Sequence, residues 1–172
     1  MSYATAGVVD LRAIRAFGAL SNIMVGKNDT NFYRRPWGAP LLVATNAHTI
    51  MIGDHTFIHH STQMHATGGS IHVGQQSIVS WRVAMLTKAN GFNDGDIVIE
   101  EQCWVSASAV LLPGTRIGRG SVVGAGSIVH GIFPPWSVIA GHPAEVKATL
   151  TPFQGPHGHP LAGPHGQGEN EG

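Results

Sequence analysis

Aliphatic residues return every six positions along most of this chain, and neither a helix nor a simple strand has that period. Ile52, Ile58 and Met64 make one triplet, and Val73, Val79 and Met85 a second. Ile99, Val105 and Leu111 make a third, and Ile117, Val123 and Val129 a fourth. Four residues after most of these stands a small or compact residue: Thr56, Thr62, Gly68, Ser77, Ala89, Ala109, Thr115, Ser121, Ser127. Val83 and Cys103 fill two further slots. A helix repeats at about 3.6 residues and a half-buried strand at about 2. A step of six fits a parallel β-solenoid, each hexad giving a short strand and a corner and three hexads one triangular turn. The aliphatic side chains then stack inside, with turns about 4.8 Å apart. A β-sandwich with valine-rich strands has no reason to hold one register over so many positions.

The register is interrupted twice. From Met64 to Val73 the step is nine residues, so three are extra, and from Met85 to Ile99 it is fourteen, so eight are extra. Both insertions follow the third hexad of their turn, so they leave the same corner one turn apart. Two loops on one edge build a local wall, and loops held on a rigid scaffold commonly carry function.

Composition narrows the function. The 172 residues suffice for one domain with a substantial core. The 23 glycines and only 12% charged residues suit a chain made of corners. Formal net charge is zero and no basic stripe is present, which argues against nucleic acid as a partner. A single cysteine rules out an internal disulfide, and Cys103 falls in an inward slot, as a buried structural thiol does. No apolar 18-mer and no signal peptide is seen, so the expectation is a soluble cytoplasmic protein without a membrane span.

Residues 1–40 read as an N-terminal helix and cap. Leu11, Ile14, Phe17 and Leu20 have helical spacing, with Asp10 as N-cap, so a helix is expected over 8–20. The cluster Phe32, Tyr33, Arg34, Arg35, Pro36, Trp37 is expected to cover the open end of the solenoid. Residues 41–130 are the solenoid, and 131–150 close it, with Pro134-Pro135 as the stop and a short strand over Val138–Ala140. Residues 151–172 are rich in Gly, Pro and His and read as a disordered tail.

The stretch CWVSASAVLLPGTRIGRGSVVGAGSIV, followed by PPWSVIAGHPAEV, resembles the hexapeptide-repeat acyltransferases, most of all the maltose/galactoside O-acetyltransferase branch. The resemblance covers roughly residues 41–147. It implies an all-β, left-handed parallel β-helix, a homotrimer, and acetyl transfer from acetyl-CoA to a hydroxyl or amine of a sugar, nucleotide-sugar or similar small acceptor. Such chemistry needs a general base, an oxyanion donor and a groove for the pantetheine arm. The family's base histidine falls, through VGQQSIVSWRVAML, on Asn90, and asparagine is no base. Asn90 is left as an orienter or oxyanion donor.

His65 and His60 are the replacement candidates. His65 sits at the corner beneath the Asn90 loop, where stacking places its Cα about 5 Å from that of Leu86. His65-Ala66-Thr67-Gly68 also resembles the HATG segment of serine acetyltransferases, whose histidine is the base, although Met64 stands where an acidic residue usually does. His60 occupies the slot of a substrate-contacting asparagine. On the donor side the family's lysines are replaced by His130-Gly131 and by His142-Pro143-Ala144-Glu145. Trp104, Arg116, Arg119, Trp136 and Lys147 are left as the acetyl-CoA candidates.

Two other readings compete. The five-residue spacing of His60 and His65 resembles the paired zinc ligands of γ-class carbonic anhydrases, but no histidine lies near Met24, where the third would fall. His55 or His48 would have to complete such a site, while His157, His159 and His165 of the tail could bind a metal only adventitiously. Alternatively, with Asn90 in the base position, the chain is a non-catalytic relative that binds a ligand or partner.

Overall fold

The computed structural model describes residues 3–5, 15–18, 22–26, 30–32 and 38–152. These form three sheets wound as a left-handed β-helix. The first face carries Ile23–Gly26, Ile50–Ile52, Ile71–Val73, Ile97–Ile99, Arg116–Ile117 and Ile132–Phe133. The second carries Asn31–Phe32, Phe57–Ile58, Ile78–Val79, Trp104–Val105, Val122–Val123 and Ser137–Gly141. The third carries Arg15–Gly18, Leu41–Ala44, Gln63–Ala66, Ala84–Leu86, Val110–Leu111 and Ile128–Val129. Pairing between these strands is parallel, one turn to the next. Antiparallel partners stand only at the ends: Tyr3–Thr5 on Ile23–Gly26, and Ala144–Thr149 on Ser137–Gly141, which contains the expected strand Val138–Ala140.

The six-residue register maps directly onto this ladder. Ile52, Val73, Ile99 and Ile117 pair in sequence, as do Ile58, Val79, Val105 and Val123, and Met64, Met85, Leu111 and Val129. All twelve side chains are fully buried. Their stack is the core.

The small-residue slots hold corners together. Thr56 Oγ1 donates to Gly74 O (3.2 Å), Thr62 Oγ1 to Ser80 O (3.0 Å), Ser77 Oγ to Glu100 O (3.2 Å) and Thr115 Oγ1 to Val129 O (2.9 Å). Each bond reaches a carbonyl of the next turn, so a hydroxyl short enough to fit the slot is itself satisfied while it ties successive turns together. Cys103 Sγ contacts Gly118 O in the same way at 3.3 Å. Gly68 and Ala89 do not fill the slots the register assigns them. They belong to the insertions, and Ile71 and Ile97, which pair with each other, occupy the buried positions.

The helix expected over 8–20 is not borne out where it can be compared. Arg15–Gly18 is a strand paired in parallel with Leu41–Ala44, and no helix is present among the described residues. The ladder satisfies that backbone, and tertiary pairing overrides the helical spacing of the side chains. Parallel pairing therefore begins ahead of Leu41. The remainder of 8–20, residues 33–37 of the aromatic-basic cluster, and the tail from 153 lie outside the described residues. Phe32 packs against the core.

Candidate functional site

The two insertions do leave one corner, between the third and first faces, and they stack. A Cβ on Gly68 would meet Asp94, and one on Gly69 would lie 2.6 Å from the Gly95 carbonyl carbon. Ser70 N donates to Asp96 Oδ1 at 2.8 Å. Lys88 Nζ meets Asp94 Oδ2 at 3.0 Å across the neck of the longer loop. The loop's tip then turns toward later turns of the solenoid. Phe92 lies edge-on to the His130 ring, with centroids 4.9 Å apart.

His65 stands in an outward row of the third face, flanked in register by Val43 and Leu86, so the expected closeness to Leu86 is observed. Leu112 and His130, each one residue past the paired Leu111 and Val129, continue that row. By strand spacing His130 is about 14 Å from His65. The His65 carbonyl accepts from Thr87 Oγ1 at 2.8 Å, which ties the base of the long loop to this strand. The ring itself makes a looser contact, Nε2 to Gln63 Oε1 at 3.4 Å. Burial lowers its pKa, which favours the neutral form of His65. Asn90 is exposed near the loop tip, two residues from Phe92.

His60 lies at a different corner, between the second and third faces. Its ring is nearly parallel to that of Trp81 (8° between planes, centroids 6.5 Å apart), and His59 meets the same indole edge-on at 5.9 Å. Burial, with the neighbouring His60 second, lowers the His59 pKa. Trp104 lies on the second face, its Nε1 donating at 3.0 Å to Oγ of Ser80, the residue before Trp81. Sequence reasoning did not single out Trp81, which is 46% exposed although large and apolar. Its place at a corner, outside the aliphatic register, was the available signal.

The other donor-side candidates are spread around the solenoid. Arg116 is exposed on the first face. Arg119 and Trp136 meet at the corner between the first and second faces, the guanidinium 5.8 Å from the indole centroid, with Arg119 Nε 3.7 Å from Glu101. Lys147 lies on the terminal strand Ala144–Thr149, paired with Glu145 at 3.0 Å. A single chain thus brings together His60 and Trp81, and separately Arg119 and Trp136, but does not gather the acetyl-CoA candidates into one site. Among the described residues no three His, Cys, Asp or Glu side chains converge to hold a metal ion.

Comparison with known proteins bears on this arrangement. Residues 96–131 match the bacterial transferase hexapeptide (six repeats) family. A 2,3,4,5-tetrahydropyridine-2,6-dicarboxylate N-acetyltransferase of Staphylococcus aureus is 34% identical over 80 residues, 46% of this chain and 31% of that protein. The match therefore spans less than a third of the length of the curated relatives. A hexapeptide-repeat-containing acetyltransferase of Vibrio cholerae has a TM-score of 0.56 at 30% identity, covering 59% of this chain and 63% of that one. In complex with acetyl coenzyme A that protein has a TM-score of 0.60 at 24% identity, covering 82% and 74%. The polySia-specific acetyltransferase NeuO has a TM-score of 0.69 at 21% identity, covering 80% and 61%. Residues 96–131 thus match the hexapeptide repeat, and the fold is a left-handed β-helix similar to that of solved hexapeptide-repeat acetyltransferases.

Proposed function

We propose that this protein is a CoA-dependent acyltransferase that moves an acetyl or other acyl group onto a hydroxyl or amine of a sugar, nucleotide-sugar or similar small acceptor. The observation that carries the reading is the eight-residue loop held off the third face, which walls a row of His65, Leu86, Leu112 and His130. The similarity to the Vibrio cholerae acetyltransferase supports it. In this reading a neutral histidine takes the acceptor proton, His65 and His60 being the sequence-derived candidates, and the Asn90 amide donates to the oxyanion. Trp104, Arg116, Arg119, Trp136 and Lys147 serve the acyl-CoA. Their spread over different sides of one chain supports a homotrimer, in which the face of one copy meets the corner of the next and a cleft forms between them. A cytoplasmic location suits a CoA-using enzyme, and no helix among the described residues is long and apolar enough to cross a membrane.

Calorimetric titration with acetyl-CoA, followed by a thiol-release assay over hydroxylated and amine acceptors, tests the reading. Saturable binding and acceptor-dependent thiol release are expected. No binding of acetyl-CoA would overturn it. Sedimentation equilibrium tests the trimer independently.

A further inference from the structure

We propose that His130 is the general base of the acyl transfer, a role that rests on the acyltransferase reading above. Its Nδ1 lies 3.0 Å from the Pro113 carbonyl oxygen. A carbonyl only accepts, so Nδ1 carries a proton, and in the neutral form of the ring Nε2 is the unprotonated acceptor. That is the tautomer a base needs. The Phe92 ring, set edge-on at 4.9 Å and 67°, is a second contact that fixes the imidazole plane. Phe92 is also two residues from Asn90, and Phe92 N donates to Ala89 O at 3.2 Å, so the tip carrying Asn90 is a tight turn resting on His130. His130 thus lies beside the loop whose own histidine position is occupied by asparagine. His130 is an exposed residue.

His65 and His60 lack this combination. Among the described residues, the hydrogen-bond contact of the His65 ring is with the amide of Gln63, at 3.4 Å, and an amide can present either its donor or its acceptor end. The His60 Nδ1 contact to the Ser61 hydroxyl is equally long and equally ambiguous. His65 is three rows from the ring that the loop tip touches, and His60 is at another corner.

The step balances without a further reagent. The acceptor oxygen or nitrogen attacks the thioester carbonyl carbon of the acyl-CoA as its proton passes to His130 Nε2. The tetrahedral intermediate collapses, the C–S bond breaks, and the imidazolium returns that proton to the departing CoA thiolate.

The test uses the full chain and diethyl pyrocarbonate, which acylates neutral imidazole nitrogens, with sites mapped by peptide mass spectrometry. His130 is expected to be modified in the free protein and protected by saturating acetyl-CoA. In the thiol-release assay H130N, whose amide replaces the donor to Pro113 O but offers no base, is expected to lose about 10²–10⁴-fold in kcat. Its KM for acetyl-CoA should stay unchanged, and H65N should retain far more of kcat. Failure of acetyl-CoA to bind would overturn the acyltransferase reading and this one with it. Binding with His130 left unprotected, or an H130N kcat within twofold of the parent, would overturn this proposal alone.

Discussion

Ser77 shows what a single slot contributes. Its hydroxyl donates to Glu100 O and accepts from Cys103 N, each at 3.2 Å, and it is fully buried. Ser77→Ala keeps the volume nearly constant and strands the Cys103 N–H in the interior. The expected loss is about 1–3 kcal/mol, read from the shift of the urea midpoint at unchanged slope. A midpoint unmoved would mean the slot selects for size alone. Cys103 is the same slot one turn on, and burial pushes its thiol up to about 12. The thiolate is the reactive form, so the native protein is expected to resist thiol reagents at neutral pH and to label fully once unfolded. Rapid labelling of the folded chain would contradict that placement.

At the scale of the corner, backbone conformation becomes the controlling quantity. Ser61, Arg82, Ser108 and Gly126 stack at one corner with φ of 60°, 59°, 60° and 67°. The left-handed region costs an L-residue roughly 1–2 kcal/mol, which glycine avoids at an entropic cost of about 0.5–1 kcal/mol. Among the described residues the exposed Ser108 side chain has no hydrogen bond that offsets this, so Ser108→Gly is expected to raise stability by about 0.5–1 kcal/mol in urea unfolding. Gly74 behaves in the opposite sense. A Cβ there would lie 2.5 Å from the Glu100 carbonyl carbon of the next turn, and backbone cannot rotate away. Gly74→Ala is expected to cost about 1–3 kcal/mol by forcing two turns apart. Equal effects at both positions would show that the turns are softer than their spacing suggests.

At the scale of the molecule, three partly buried histidines among the described residues couple folding to protons. His59, His65 and His72 all have lowered pKa values, burial being the largest cause in each. Among the described residues His72 Nε2 has no hydrogen-bond partner although it is buried, and the Glu101 charge opposes the shift there. Below the ordinary histidine pKa of about 6.5 the unfolded chain binds more protons than the folded one. Stability is therefore complete above that pH and is lost as pH falls through it. The thermal midpoint is expected to drop between about pH 7.5 and about pH 5.5, and His72→Gln is expected to lessen the drop. A midpoint that rises on acidification would reverse the sign of this coupling.

The six-residue register is a property of neighbours along the chain, since each inward side chain is set by the one before it. The solenoid, its twelve stacked aliphatic residues, the corner shared by the two insertions, and the closeness of His65 to Leu86 were legible for that reason. The tertiary structure decided what no local period encodes. Arg15–Gly18 is a strand because Leu41–Ala44 offers it a ladder, whatever the helical spacing around it. Ile71 and Ile97 take the slots of Gly68 and Ala89 because the inserted residues leave the coil before it resumes. The path of the Asn90 loop depends on a ring contact between Phe92 and His130, residues two turns apart. Pairing across that distance is chosen by packing in space, and a sequence read one hexad at a time carries no record of it.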